Sequence, residues 1–225
     1  RVMDFFPVPK SGFYRFLNKV FHPFDKFCLK NSDSVWFTTE GHIIGREKYG
    51  YFDRSKSQYQ MIPLAVDMKK FVMKMPNNKD MVYCGLISKY HMFDLIFDVV
   101  EEVSKKYPDF KLKIIGGGPD KEYYEKLSRE RKLDKNIIFY VFLAEGKKFR
   151  VIMSDSILGI ALYKDEEDYM KYTEPAKVKY YLNFGVPVIV SRVPQIAKEL
   201  DEKKVAFATK NDKQKIVAII EKYIG

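Results

Sequence analysis

The sequence predicts an α/β fold, with a Rossmann-like, doubly wound parallel sheet over residues 81–225 and a remnant of a second α/β domain over residues 1–67. Two observations lead to this prediction. From residue 81 onward, short apolar segments alternate with segments of helical spacing, which is typical of βαβ units. The apolar segments are also almost uninterrupted, as expected for strands that a parallel sheet buries on both faces.

The elements of the larger domain follow one another in a regular order. The predicted strands, rich in β-branched residues, span 81–86, 110–118, 136–142, 156–163, 186–191 and 205–209. The predicted helices span 92–107, 119–133, 145–155, a segment that starts near residue 173, 193–200 and 212–224. Sheets of this kind bind ligands beyond the carboxyl ends of their strands. The residues that follow each strand are therefore the candidates for a binding site.

The first 80 residues predict fewer elements than the rest of the chain. These are a helix over 11–31 interrupted by Pro23, a strand over 33–39, a weak helix over 40–50 and a strand over 58–67. They are too few for a complete doubly wound domain, and we interpret them as the end of one, joined to the larger domain by a linker at 68–80. Because the chain starts with Arg1 rather than Met, we expect it to be a piece of a longer protein.

The chain is basic, with 40 Lys and Arg against 30 Asp and Glu and a net charge of +10. A basic surface attracts anions such as nucleic acid, anionic lipid or a phosphorylated substrate, but a Lys-rich surface also serves solubility alone, and both interpretations stay open. The sequence contains no RNA-binding motif and no basic stripe along one helix, so nucleic acid is not an expected partner. No run of 18 apolar residues predicts a transmembrane helix.

The two cysteines, Cys28 and Cys84, have apolar neighbours. This favours buried thiols in a reducing, cytoplasmic compartment over a disulfide. Two cysteines and three histidines without ligand spacing exclude a zinc site. The acidic cluster at 164–169 is interpreted as a solvated loop, so neither a metal nor another cofactor is expected.

Five segments, taken in order, resemble the C-terminal half of GT-B glycosyltransferases, and most closely the large retaining family that uses nucleotide-sugar donors. The segments are YCGLISKYHMFDLI (83–96), LKIIGGGPDKEYYEKL (112–127), NIIF (136–139), SDSILGIALY (154–163) and PAKVKYYLNFGVPVIVS (175–191). Upstream, residues 31–50 and 61–67 resemble the end of the N-terminal domain and its crossover. The resemblance implies that 1–67 belongs to an acceptor-binding domain and 81–225 to a nucleotide-sugar-binding domain.

The resemblance implies transfer of a sugar from a nucleoside diphosphate sugar to a glycan or lipid-linked acceptor, with retention at the anomeric carbon. The helix that begins near Thr173 would direct its N-terminus, together with Lys177, at the donor diphosphate. The residues implied for the donor diphosphate and sugar are Gly85, Ser88, Lys89, His91, Thr173, Glu174 and Lys177. Those implied for the nucleoside are Gly117, Phe142, Tyr172 and Tyr180, and no catalytic residue is identified.

The chain departs from the pattern of that family at four positions. Tyr172 and Tyr180 stand where the family has two glutamates eight positions apart, Leu86 stands in place of an arginine, and His91 in place of a lysine. The usual ribose-binding carboxylate and one diphosphate cation are therefore absent. These departures leave open an alternative function, a non-catalytic nucleotide or glycan binder with a degenerate glycosyltransferase fold.

Two of these motifs also have purely structural interpretations. The glycines of IIGGGPD (114–120) suit a helix N-terminus that approaches a phosphate, but they equally suit a tight turn that requires positive φ. His91 is either a phosphate contact or a histidine on the surface. The sequence alone does not choose between these interpretations.

Residues 1–30 combine eight aromatic side chains with six basic and two acidic ones. This composition suits a peripheral contact with the cytoplasmic membrane. It also suits an amphipathic helix that packs on elements of its domain which we expect to lie outside residues 1–225. In the second case Phe13, Leu17, Val20 and Phe24 would be uncovered, and we expect them to drive self-association or pairing with another chain. We also expect residues 1–225 alone to bind nucleotide without transferring sugar.

Overall fold

The computed structural model of the chain describes residues 12–65, 79–141, 146–165 and 168–225. Packing divides the chain into two units. The first consists of the chain up to Ala65 together with Asp165–Glu174, and the second of Val66–Lys164 together with Pro175–Gly225. Each unit contains its own parallel sheet.

The first unit contains α1 (Gly12–Asn31), β1 (Val35–Phe37), α2 (Glu40–Lys48) and β2 (Tyr59–Met61). Strands β1 and β2 pair in parallel, with Val35 opposite Tyr59. The four predicted elements are present, although the strands are shorter than predicted. A small core of buried apolar side chains joins them, namely Leu29, Val35, Phe37, Ile43 and Phe52.

Helix α1 continues through Pro23, where the sequence analysis expected an interruption. Two contacts on the C-terminal side of the proline hold the helix in place. The buried carboxylate of Asp25 lies 3.5 Å from the Arg46 guanidinium of α2, and Leu29 is part of the small core. Tertiary contacts thus offset the loss of one helical hydrogen bond at the proline.

The second unit contains the larger sheet and the helices that connect its strands. Its elements are β3 (Asp80–Cys84), α3 (Phe93–Lys106), β4 (Leu112–Ile115), α4 (Lys121–Glu130), β5 (Ile137–Tyr140), α5 (Lys147–Ser154), β6 (Ser156–Ala161), α6 (Ala176–Asn183), β7 (Val188–Ser191), α7 (Ile196–Glu202), β8 (Ala206–Thr209) and α8 (Lys213–Ile224). Every strand and helix predicted for residues 81–225 is therefore present. Most are shorter than predicted, while β3 begins one residue earlier and α7 ends two residues later than predicted.

The six strands form one parallel sheet in the order β5-β4-β3-β6-β7-β8. Counted within the unit this is the order 3-2-1-4-5-6 of a doubly wound sheet, which confirms the predicted fold class. Strands β4 and β5 are added on one side of β3, and β6, β7 and β8 on the other, so the strand order reverses between β3 and β6. The loops that follow these two strands, at residues 85–92 and 162–165, therefore flank the switch point at which such sheets bind ligands.

The predicted domain division differs from the packing in one segment. We assigned residues 165–174 to the larger domain from their position in the sequence, but they pack with the first unit. The reason is the contact of Tyr172 with α2. A Cβ at Gly41 would lie 2.8 Å from the Tyr172 carbonyl oxygen, and one at Gly45 would lie 3.2 Å from the Tyr172 ring. Two glycines on one face of α2 thus admit this tyrosine.

Both cysteines are free, but only Cys84 is partly buried, and Cys28 is exposed. The prediction of a buried Cys28 was wrong because α1 buries Leu29 in the small core, whereas Phe27 and Cys28 lie on its exposed face. Along this face the exposed fractions are 63% for Phe16, 59% for Val20, and 63% for both Phe24 and Phe27. The side chains of Phe13 and Leu17, which we predicted to share this face, lie outside the described residues.

No helix in the described part of the chain is both long enough and apolar enough to cross a membrane. Phe16, Val20, Phe24 and Phe27 form an exposed apolar stripe along α1. Contiguous apolar stripes of this kind mark surfaces that bind another molecule.

We expect the stripe to make the chain self-associate at micromolar concentration, because association removes its apolar side chains from water. Replacing Phe24 and Phe27 by Glu should shift the chain toward the monomer, because a charged carboxylate would then replace each exposed phenyl ring and would oppose association. Sedimentation equilibrium of the wild-type and doubly substituted chains measures this shift. A double substitution at exposed Val205 and Tyr223 in the second unit is the control, and a wild-type chain that is monomeric at all concentrations contradicts the prediction.

Candidate functional site

The ammonium group of Lys177 lies at the carboxyl end of β3, beside the switch point. Lys177 is in the first turn of α6, and its Nζ donates a hydrogen bond to Tyr83 Oη at 2.9 Å. The same Nζ lies 4.5 Å from the centroid of the Tyr83 ring and 5.1 Å from that of Tyr163. A Cβ at Gly85 would lie only 3.5 Å from it. Lys177 therefore occupies a cage of two aromatic rings that faces the loop after β3.

The charge of Lys177 has no carboxylate partner among the described residues, since the only ionisable group that favours its charged form is Cys84. Burial lowers the pKa of Lys177 to about 7, because the ammonium loses more hydration than its surroundings replace. Burial also raises the pKa of the Cys84 thiol to about 11, so this thiol is neutral at pH 7. The cage thus contains a cation that an incoming anion would stabilise.

The loop after β3 is held against the glycine-rich turn after β4 by backbone hydrogen bonds. Gly85 N–H donates to Ile115 O at 2.9 Å, and Ile87 N–H donates to Gly117 O at 2.8 Å. Side chains are excluded here, because a Cβ at Gly116 would lie 1.9 Å from Gly85 O and one at Gly118 would lie 2.2 Å from Ile87 O. Close packing of two loops thus accounts for these glycines.

Gly117 is different from its two neighbours, since a Cβ placed on it would meet no atom of the described residues within 4 Å. Packing therefore does not require glycine at this position. Its backbone borders open space at the carboxyl end of β4, where a ligand could approach it. This geometry is compatible with the predicted role of Gly117 in nucleoside binding, which stays a prediction.

His91 is buried, so the interpretation as a surface histidine was wrong. Its Nδ1 lies 2.9 Å from the hydroxyl of Ser88, which is also buried. Burial, and to a lesser extent the charge of Lys177, lowers the pKa of His91 to about 3. The imidazole is therefore neutral at pH 7 and offers hydrogen bonds, but not the positive charge of the lysine that it replaces.

Lys89 contributes to the loop through its backbone in this structure. Its N–H donates to Asp120 Oδ2 at 2.9 Å, which ties the loop after β3 to the start of α4. The Lys89 side chain is exposed, with Nζ 5.5 Å from the centroid of the Tyr90 ring. An exposed lysine at this edge is free to reach toward a bound anion.

Tyr181 fixes α6, and with it Lys177, to the sheet. The ladder between β3 and β6 ends at the pair Val82–Gly159. Beyond it the Tyr181 hydroxyl accepts a hydrogen bond from Cys84 N–H at 2.7 Å and donates one to Ile160 O at 3.2 Å. A Cβ at Gly159 would lie 2.6 Å from the Tyr181 ring, so only glycine leaves room for it.

Tyr163, which follows β6, is held by the last residue of β7 and by the loop that follows β8. Its N–H donates to Ser191 Oγ at 3.0 Å, and its carbonyl oxygen accepts from Asn211 Nδ2 at 3.0 Å. The ring is 4% exposed and lies between Lys177 and His91. Its hydroxyl is buried without a hydrogen-bond partner among the described residues.

The structure places the predicted site residues in two groups. Gly85, Ser88, Lys89, His91, Gly117, Lys177 and Tyr180 belong to the second unit, and Tyr172, Thr173 and Glu174 to the first. Phe142 lies outside the described residues. In the second unit, the cage brings Gly85 and Lys177 together, whereas Tyr180 is exposed on α6 with its ring 6.4 Å from that of Phe149.

The three residues of the first unit already have local partners. Thr173 Oγ1 donates to Met170 O at 3.1 Å, and Glu174 Oε2 accepts from Leu64 N–H at 3.4 Å. The ring of Tyr172 lies 6.0 Å from Lys48 Nζ. Within the described residues, no group of three or more His, Cys, Asp and Glu side chains lies close enough to hold a metal ion.

Sequence reasoning missed the three tyrosines that shape this site. Tyr83 and Tyr163 fall within the predicted strands 81–86 and 156–163, and Tyr181 falls within the predicted helix that starts near residue 173. The glycine at 159, inside an apolar strand, was the one available signal, because a glycine there indicates the close approach of another group.

Comparison with known proteins identifies similar chains. The family model "Glycosyl transferases group 1" matches residues 67–224. A protein of Haemophilus influenzae, named as an uncharacterized glycosyltransferase, is 32% identical over 62 residues, which are 28% of this chain and 18% of that protein. Among solved structures, WaaG, described as a glycosyltransferase involved in lipopolysaccharide biosynthesis, superposes with a TM-score of 0.71 at 12% identity over 96% of this chain and 61% of its own.

A second solved structure has the same fold. Alr3699/HepE of Anabaena, in complex with UDP, superposes with a TM-score of 0.71 at 13% identity over 88% of this chain and 55% of its own. At such identities the likeness shows the fold alone. The chain spans less than two thirds of the length of each of these three proteins.

We expect Lys177 to make stability depend on pH near neutrality. Its folded-state pKa, about 7, lies below its ordinary value of 10.5. The unfolded state therefore binds more protons between these values, and the contribution of Lys177 to stability rises as the pH increases from 7 toward 10. The free energy of unfolding of the wild type minus that of Lys177→Met should rise between pH 6 and 9.

Urea unfolding at several pH values measures this difference, with Lys198→Met, at an exposed lysine of α7, as the control. The other ionisable groups of the cage do not titrate in this range, because burial lowers the pKa of His91 and raises the pKa values of the remaining groups, Tyr83, Cys84, Tyr163 and Tyr181. A difference that stays constant from pH 6 to 9 contradicts the assignment.

Proposed function

The chain belongs to the family Glycosyl transferases group 1, and we propose that it binds the nucleoside diphosphate sugar donor of a glycosyltransferase at the switch point between β3 and β6. One observation carries the proposal: the ammonium of Lys177 lies at the carboxyl end of β3 without a carboxylate partner among the described residues. A diphosphate stabilises a partly buried cation of this kind. In return, the cation stabilises the negative charge that develops on the leaving nucleotide.

The first turn of α6 adds to this electrostatic effect. Helix N-termini carry a partial positive charge and unpaired N–H groups that favour phosphate. Lys177 is the second residue of α6, so its ammonium and the helix terminus belong to the same turn. Two sources of positive potential in one turn make the binding of a diphosphate possible without a metal ion.

The reaction that we propose is transfer of the sugar to a glycan or lipid-linked acceptor with retention at the anomeric carbon. Support for it comes from membership of the family and from the resemblance of the five segments described above. The acceptor would be bound by the domain of which the first unit is a part. We place the protein in the cytoplasm, where the two free thiols stay reduced.

A non-catalytic nucleotide or glycan binder is the second candidate. It is favoured because this chain has tyrosines, Tyr172 and Tyr180, at the two positions where the family has glutamates. Tyr172 packs on the helical glycines of α2, and Tyr180 is exposed on α6. A phenol binds a ribose hydroxyl more weakly than a carboxylate does. Assay of sugar turnover by the protein with its complete acceptor domain distinguishes the two, because only an enzyme releases nucleoside diphosphate in proportion to transferred sugar.

Nucleoside diphosphates should raise the melting temperature of the chain, because a ligand that binds only the native state stabilises it. UDP, GDP and ADP are the probes in a thermal-shift screen. For the one that binds, Lys177→Ala should weaken affinity by about 1–3 kcal/mol, about 5- to 140-fold, through loss of a charge-assisted contact. Isothermal titration calorimetry measures the dissociation constants.

Lys198→Ala is the matched control, since Lys198 is an exposed lysine of the same unit that pairs with Glu202 on α7. Its dissociation constant should equal that of the wild type. An unchanged dissociation constant for Lys177→Ala removes Lys177 from the site and with it the proposed mode of diphosphate binding.

Binding should be independent of divalent metal, because the positive charge comes from Lys177 and the turn of α6. Calorimetry in the presence of EDTA, and again with added manganese, tests this. Equal dissociation constants are expected. Loss of binding in EDTA with recovery in manganese would contradict the proposal and would direct attention to the acidic segment at 165–168 as a source of ligands.

A further inference from the structure

We propose that Tyr83 is a positioning residue of the donor site: its hydroxyl fixes the Lys177 ammonium to the loop that follows β3, where the diphosphate of the nucleotide would bind. The inference rests on the proposed function, since it concerns the same site. Tyr83 would not touch the donor. It would act through Lys177, by fixing the place and the charge of that side chain.

The hydrogen bonds of Tyr83 give its hydroxyl one geometry. Tyr83 is fully buried on β3, and its Oη donates to the carbonyl oxygen of Leu86 at 2.6 Å. With its proton committed to Leu86, the hydroxyl oxygen presents a lone pair to Lys177 Nζ at 2.9 Å. The hydroxyl is therefore a relay that connects the ammonium to the backbone of the loop.

Leu86 links this hydrogen bond to the loop at which the ligand would bind. It directly follows Gly85, and a Cβ at Gly85 would lie 3.2 Å from Lys177 Cε. The side chain of Leu86 is 54% exposed, whereas its carbonyl oxygen accepts the hydrogen bond from the buried Tyr83. A movement of this loop would be transmitted to the ammonium through a single hydroxyl.

The two rings of the cage add a second restraint. Nζ lies over the ring of Tyr83 at 4.5 Å and over that of Tyr163 at 5.1 Å. Cation–π attraction holds a charge near both rings but does not fix it along them. The Tyr83 hydroxyl supplies the directional bond that the rings lack.

The hydroxyl also affects the protonation of Lys177. A hydrogen bond that the charged form donates favours that form, whereas burial disfavours it. Burial lowers the pKa of Lys177 to about 7, and loss of the hydroxyl should lower it further. Because a diphosphate binds the ammonium and not the neutral amine, affinity should fall as the pH rises through the pKa of Lys177 in the free protein.

The variant Tyr83→Phe tests the proposal, since it removes the hydroxyl and keeps the ring. The dissociation constant of the nucleoside diphosphate that binds most tightly among UDP, GDP and ADP is measured from pH 5.5 to 9.5 for the variant and the wild type, so that the ionisation of the nucleotide affects both equally. Above about pH 7 the terminal phosphate is ionised throughout, because its second pKa is about 6. We expect Tyr83→Phe to weaken binding by about tenfold and to shift the midpoint of the pH profile downward.

Tyr124→Phe is the control, because Tyr124 is also a buried tyrosine whose hydroxyl bonds one partner, Asp94, within the same unit. It should leave both the affinity and the midpoint unchanged. A purely structural effect of Tyr83→Phe would weaken binding equally at every pH and leave the midpoint in place. That result, or an unchanged affinity, overturns the proposal while the proposed function stands.

A measurement without nucleotide separates this inference from the proposed function. The ¹³Cε resonance of Lys177, assigned by its absence in Lys177→Met, reports its titration in the free protein. Its midpoint should be lower in Tyr83→Phe than in the wild type, and equal midpoints overturn the inference. If no nucleoside diphosphate binds the wild type, the proposed function fails, and this titration still decides the role of Tyr83.

A second measurement uses the wild-type protein alone, so that it does not depend on the folding of the variant. Nuclear Overhauser effects between the Lys177 Hε protons and the Tyr83 ring should be present in the free protein and persist after nucleotide is added. Their disappearance on binding would mean that the ammonium leaves Tyr83 to reach the diphosphate, which contradicts a positioning role.

Discussion

The hydroxyl of Tyr181, inserted between two strands, is the contact on which the site depends. Strands β3 and β6 pair as far as Val82 and Gly159, and the Tyr181 hydroxyl then bridges Cys84 N–H and Ile160 O. Bridging by a side chain satisfies two buried backbone groups that would otherwise cost about 1–3 kcal/mol each. It also sets the position of α6, and hence of Lys177, beside the switch point between β3 and β6.

The position of α6 determines the electrostatics of the site. Lys177, four residues before Tyr181, is brought between two aromatic rings and away from any carboxylate in the described part of the chain. A site with the arginine and lysine that the family usually has after the first strand would hold two permanent charges. This chain has Leu86 and a neutral, buried His91 there, so in the proposed mode of binding Lys177 would supply more of the positive charge that attracts a diphosphate.

Periodicity was sufficient to predict the sheet, because parallel strands buried on both faces are apolar along their whole length, as in ILGIA of β6 and VIVS of β7. The site was less predictable. The positions of Gly85 and Lys177 followed from the order of motifs, but the role of Tyr83 depends on a hydrogen bond to a backbone carbonyl that no sequence pattern indicates. The packing of Tyr172 on α2 likewise depends on two glycines 127 or more residues earlier in the chain.

The central claim is that a nucleoside diphosphate binds at the carboxyl ends of β3 and β4, beside the Lys177 ammonium. Chemical-shift mapping of the ¹⁵N-labelled chain during titration with UDP, GDP or ADP tests it most directly. The account predicts the largest shifts at the amides of Gly85, Ser88, Gly117 and Lys177. Shifts confined to another surface, such as the groove between β5 and α5 lined by Tyr140, Lys147 and Lys148, would contradict it.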